Sequence, residues 1–154
     1  MKMKKYLGLL GIAVLAACTG NNQSEQTHTD THTSETVAES TVNVVLADNE
    51  LQQIYDVYIA LKDKLVATDY EQAKNEANNL LNSLKDYKGN DKVVLIVQKI
   101  AEANDIATQR REFTDLNTEL IKVFKEAAIT EGTIYVQHCP MANKGDGGDW
   151  LSSK

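Results

Sequence analysis

Three soft or borderline metal donors crowd into four residues near the end of the chain. They are His138, Cys139 and Met141, with Pro140 between the last two. Thiolate and thioether are soft donors that suit Cu(I), and imidazole accepts copper or zinc. Pro140 is the only proline, Met141 the only methionine after Met3, and His138 the only histidine after His32. On an extended strand Cys139 and Met141 share a face while His138 points away. The expected pair is therefore Cys139 with Met141, and His138 joins it if Pro140 turns the chain. Two or three such ligands suit low-coordinate Cu(I) and fall short of the four that close a structural zinc site. The missing ligands would come from His28 or His32, from a second protomer, or from a further segment. Trp150 is placed to cover the ion, since a cation gains from an aromatic face.

Each of these residues also has a plainer reading. Cys139 works equally as a small buried hydrophobe and Met141 as a gap-filler. His138 reads as a surface or hydrogen-bonded residue, and Trp150 as a packing anchor that pins the C-terminal segment. Asp146 and Asp149 lie among glycines but miss the EF-hand spacing, so a turn is the better reading. Catalysis has little support. His138 and Cys139 are adjacent, and neighbours on a strand face opposite ways, which does not suit a nucleophile and its base. There is no Cys-x-x-Cys for redox chemistry. The expectation is a protein that is not an enzyme.

The elements that carry this cluster start with a leader over residues 1–17. Lys2, Lys4 and Lys5 form a positive region, Tyr6 to Leu15 an apolar one, and Leu15-Ala16-Ala17-Cys18 a small-residue cleavage site. Leu-Ala-Ala-Cys resembles the lipobox of bacterial lipoproteins, which makes Cys18 the lipidated residue. An ordinary secretory leader or a short membrane helix is the alternative, but a span needs about 20 apolar residues. Thr19 in place of an aspartate points to the outer membrane. The formal net charge is −6 over the whole chain, and loss of three leader lysines makes the remainder more acidic. That argues against nucleic acid or anionic lipid as partners, which both call for a basic patch. With Cys18 acylated, Cys139 is a lone thiol in an oxidising compartment, open to metal, to oxidation or to pairing with another chain.

Residues 18–45 read as a flexible polar tether, rich in Thr, Ser, Asn, Gln and Glu and without aromatics. As a coil its reach is roughly 30 Å. His28 and His32 sit here, and solvated linker histidines are their plainer reading. Residues 46–154 read as a helical domain. A first helix from Asp48 to Val66 carries Leu51, Ile54, Tyr55, Tyr58, Leu61 and Leu65 at three- and four-residue steps. A second begins with a capping box, Thr68 as N-cap and Glu71 reaching back. It packs through Ala73, Ala77, Leu80, Leu81 and Leu84, and Gly89 is its expected cap. The third opens at Asn90 or Asp91. Val93 to Val97 is compatible with a strand, but Ile100, Ala103 and Ala107 extend a helical stripe, with a break near Asn104-Asp105. The fourth carries Phe113, Leu116, Leu120, Val123, Phe124 and Ala127 and stops at Gly132. Arg110, Arg111, Glu112, Asp115 and Glu119 read mostly as its solvated face. Short links make neighbours antiparallel, so the fold class is all-α, an antiparallel four-helix bundle. Thr133 to Gln137 alternates and reads as a short extended segment laid on the bundle. Residues 144–149 read as a flexible turn.

With these residues in view the chain resembles a bacterial envelope family, domain of unknown function 3347. Residues 58–69 resemble its opening helix, and Ala73 and Ala77 its next one. Arg110 and Phe113 match an Arg-x-x-Phe opening. Tyr135, Cys139-Pro140-Met141-Ala142 and Trp150-Leu151-Ser152 match its signature. The resemblance implies an envelope protein linked to heavy-metal efflux, with an efflux adaptor or a copper protein as partner and copper as cargo. The family's further Asn-Pro-Tyr-Phe-Gly segment has no counterpart before Lys154, so the expectation is a chain short of that part. The alternative function is a structural or adaptor module without metal. A third reading is an intermolecular disulfide through Cys139.

Overall fold

The computed structural model describes residues 43–89 and 91–154. The expected leader, the Cys18 lipidation site, His28 and His32 lie outside the described residues. A short strand β1 (Val45–Leu46) leads into four helices: α1 (Asn49–Val66), α2 (Tyr70–Ser83), α3 (Asp91–Glu102) and α4 (Ile106–Lys125). Three strands follow: β2 (Ile129–Glu131), β3 (Tyr135–Cys139) and β4 (Gly148–Ser152). The folded unit takes in Val44, which is buried, and Val45, which pairs with Glu131. Among the described residues no helix is long and apolar enough to cross a membrane.

The helix starts follow from their caps. The Asp48 carboxylate accepts the backbone N–H groups of Glu50 and Leu51, which satisfies two of the donors that a helix start leaves open. The second start departs from the expected capping box. Thr68 adopts φ 60 and Asp69 is the N-cap, accepting the Gln72 N–H. Only three residues separate α1 from α2, so the chain must reverse at once, and a left-handed residue after a helix does that. Thr68 is thereby taken from the cap and Glu71 has no box to close. α2 ends at Ser83, with the buried Leu84 as its C-cap, well before Gly89. The break expected near Asn104-Asp105 is present. Asp105 accepts the Thr108 N–H at 2.7 Å and starts α4. α4 stops at Lys125 and not at Gly132, because Ile129–Glu131 pairs with β1. Gly132 instead serves a close approach. A Cβ at its φ of 76 would stand 2.5 Å from the Asn43 carbonyl oxygen.

One contiguous core joins the four helices. All six residues of the α1 stripe are buried in it, as are Ala73, Ala77 and Leu80 of α2. Side-chain pairs fix the directions. Arg110 at the start of α4 meets Leu65 at the end of α1, and Phe124 at its end meets Tyr55 near the start of α1. Lys92 reaches Glu119 at 2.6 Å and Lys99 reaches Glu112 at 3.8 Å across α3 and α4. Both pairings run antiparallel, which is the bundle that short links demand.

The single extended segment expected after Gly132 is a hairpin. β3 and β4 pair antiparallel from Tyr135 opposite Ser152 to Cys139 opposite Gly148. A chain edge laid on helices leaves its backbone groups unpaired, and a returning strand satisfies them. Gly148 and Asp149, expected in a flexible turn, belong to β4. β4 is the strand that packs on α4.

Candidate functional site

The hairpin is held to the bundle by a buried tyrosine. Tyr58 Oη donates to Asn117 Oδ1 at 2.7 Å and accepts the Leu151 N–H at 2.8 Å. Its ring stacks on Phe113 with centroids 5.3 Å apart. One hydroxyl thus ties α1, α4 and β4 together. Burial, only partly offset by the Leu151 N–H, pushes the Tyr58 phenol well above the usual tyrosine range. Leu151 and Ser152 are both buried. Trp150 is half-buried, and its Nε1–H donates across the hairpin to Gln137 Oε1 at 2.9 Å. Trp150 is therefore a packing anchor of the hairpin.

The tip of the hairpin carries the sulfur residues. β3 ends at Cys139, which is a free, half-buried thiol. Met141 has helical backbone angles and opens a 3-10 turn, Ala142–Gly145, in which Asn143 and Lys144 adopt positive φ. Cys139 and Met141 therefore do not lie on one face of one strand. The turn at Pro140 ends the alternation between them. The turn is well braced. Asn143 Nδ2 donates to Thr114 Oγ1 at 2.7 Å and to the Gly147 carbonyl at 3.0 Å. Met141 is 78 % exposed. His138 lies directly across from Asp149 and its Nδ1 is 2.8 Å from Asp149 Oδ1. Both residues are more than half exposed. His138 is thus hydrogen-bonded on the surface. Asp146 and Asp149 lie beside it around a small cleft of about 240 Å³. Among the described residues no group of three His, Cys, Asp or Glu is placed to hold one metal ion.

A second cleft, of about 380 Å³, opens between the end of α1, the start of α4 and the hairpin tip. Leu65, Val66, Phe113, Met141 and Trp150 line it, with Lys62 and Arg110 on its rim. Met141 and Trp150 share this cleft, whereas Cys139 and His138 do not border it. Arg110 is not on a solvated face. Its Nε and Nη2 donate to the Leu65 carbonyl at 3.1 and 2.6 Å, and Nη2 also reaches Thr68 Oγ1 at 2.8 Å. It closes the open carbonyl end of α1. Glu119 also departs from the solvated reading: its side chain is 17 % exposed, and Lys92 and Lys122 hold its carboxyl below the usual range.

Asn117 and Gln109 are the buried polar residues of α4 that the apolar stripes did not pick out. Their signal was available in the helical period. Gln109, Phe113, Leu116, Asn117 and Leu120 follow the three- and four-residue steps of one face.

The family described as protein of unknown function, DUF3347, matches residues 54–132. The chain belongs to this family. The match begins within α1, runs to the end of β2 and stops before the hairpin that carries Cys139, Met141 and Trp150. No curated protein and no solved structure matches the chain.

Proposed function

We propose that this DUF3347 member is a lipid-anchored envelope protein that binds or hands over a soft metal ion, copper being the best fit to its donors. The observation that carries the reading is Met141, an apolar thioether 78 % exposed at a braced hairpin tip, two residues from the half-buried Cys139 thiol. Its exposure leaves the thioether sulfur accessible to an ion from solvent. Residues two apart stay within one turn's reach, and the flexible methionine side chain covers the rest. A thiolate and a thioether suit Cu(I) and suit a site from which a partner can extract the ion. Nε2 is the nitrogen that His138 has left for an ion, because Asp149 occupies Nδ1. The anchor at Cys18 and a partner on a heavy-metal efflux assembly complete the proposal, and no catalytic role is part of it. The test is titration with Cu(I) against a competing chelator. The chain should compete for the ion, and the Cys139→Ala, Met141→Ala variant should lose at least about tenfold in affinity. Equal affinity in the two proteins would remove the reading.

A second reading is an adaptor module that docks without metal. What favours it is the outer strand of the hairpin, where Tyr135 and Val136 are 51 % and 47 % exposed. An open strand edge with apolar side chains is a surface for another chain. Partner capture that survives Cys139→Ala but fails with Val136→Lys would support this reading over the first.

A further inference from the structure

The metal reading leaves the 380 Å³ cleft beside Trp150 unused. Its size falls in the range of small-molecule sites. Its floor and walls are Leu65, Val66, Phe113, Met141 and Trp150, an apolar surface with two aromatic rings. Its charged groups divide unequally. Lys62 stands 3.3 Å from Asp63, and Asp149 is bonded to His138. Arg110 has no such counterpart. Its hydrogen bonds go to a carbonyl and a hydroxyl, and among the described residues no carboxylate lies in ion-pair range of it. The carbonyl end of α1 balances part of its charge, but among the described residues its Nη1 makes no hydrogen bond and is open to an anion from outside. In a chain of net charge −6, Arg110 sets one positive group against an apolar wall, with the Asp149 carboxylate elsewhere in the lining.

We propose that the cleft binds a small amphipathic carboxylic acid, its carboxylate on Arg110 and its apolar body against Phe113, Trp150 and Val66. The arrangement matches the two halves of such a ligand, and neither half alone explains both features. Met141 borders the cleft, so occupancy also covers a proposed copper ligand from one side.

Trp150 is the only tryptophan and lines this cleft, so all tryptophan emission comes from its wall. The experiment titrates sodium decanoate, below its micelle concentration, into the full chain carrying Cys18→Ser and no added metal. The proposal expects a saturable shift in Trp150 emission. It also expects decanol, which lacks the charge, to bind at least about tenfold more weakly. In R110M the preference for decanoate over decanol should vanish while decanol binding stays. Arg110→Lys should keep part of the preference. No saturable change with decanoate, or equal affinity for acid and alcohol in the unsubstituted chain, overturns the proposal even if R110M does not fold. Because the assay contains no copper, either result leaves the metal reading untouched.

Discussion

Tyr58 joins α1, α4 and β4 through one hydroxyl. Its hydroxyl has a buried acceptor on one side and a buried backbone donor on the other. Tyr58→Phe keeps the ring and the stacking on Phe113 but leaves both partners unsatisfied. The expected cost is about 2–3 kcal/mol, which urea unfolding will measure. The same variant should redden Trp150 emission, because β4 loses its tie to α1. Titration of tyrosine supplies a further check. Tyr55 is pushed from 10.0 up to about 12, by burial first and by the nearby Asp56 second. Tyr58 moves the same way. In the unfolded chain both phenols ionise near 10.0, and in the folded chain they resist. The stability this provides is complete below pH 10.0 and is lost as the pH rises toward 12. Circular dichroism should therefore show alkaline unfolding in that window, and Tyr58→Phe should lessen its steepness. A flat profile across it would contradict the buried placement of both rings.

Much of the scaffold was legible at the residue level and the joins were not. All six α1 stripe positions are buried because a 3.6 period leaves one face for a core. The Thr68 cap and the Gly89 stop failed for a shared reason. Both were chosen from local residue preference, and the tight α1–α2 reversal and the burial of Leu84 decided the matter. Arg110 read as a surface charge because nothing local shows that the Leu65 carbonyl faces it. The Tyr58–Asn117–Leu151 tie links residues far apart in the chain, and no local pattern encodes it.

Among the elements, the hairpin is where expectation and structure differ most. A lone alternating segment, Thr133 to Gln137, reads as one strand because its partner is disguised by glycines at residues 145, 147 and 148. Gly145 and Gly147 serve the turn, and Gly148 opens β4. Gly147 has φ 81, and a Cβ there would meet His138 Cε1 at 3.3 Å. The hairpin rests on the bundle mainly through Leu151, so Leu151→Ala should cost about 2–5 kcal/mol in chemical denaturation. The β1–β2 pair has its own sensitive point. Gly132→Ala meets the Asn43 carbonyl and a strained φ together, and should destabilise by about 1–3 kcal/mol. A thermal midpoint unchanged from the parent chain would show that this approach is looser than the structure has it. The family match ends at residue 132, at the boundary between the bundle with its β1–β2 clasp and the hairpin. The shared scaffold and the proposed chemistry thus occupy successive parts of the chain.

For the whole molecule, the division is between a helical body and a small sulfur-bearing tip. The body is rigid by its core, and the tip is rigid by Asn143 and Thr114. A braced tip with an exposed thioether suits presentation of an ion to a partner better than permanent storage, since storage favours a closed set of ligands. On the proposed reading, the donors near Cys139 would form half of such a site, with the other half from His28 or His32, from a second protomer or from a further segment. Copper-edge X-ray absorption of the Cu(I)-loaded chain tests this most directly. Sulfur neighbours from Cys139 and Met141 should appear in the first shell, and the Met141→Leu variant should lose one of them. A first shell of nitrogen and oxygen only, unchanged by that substitution, would contradict the account.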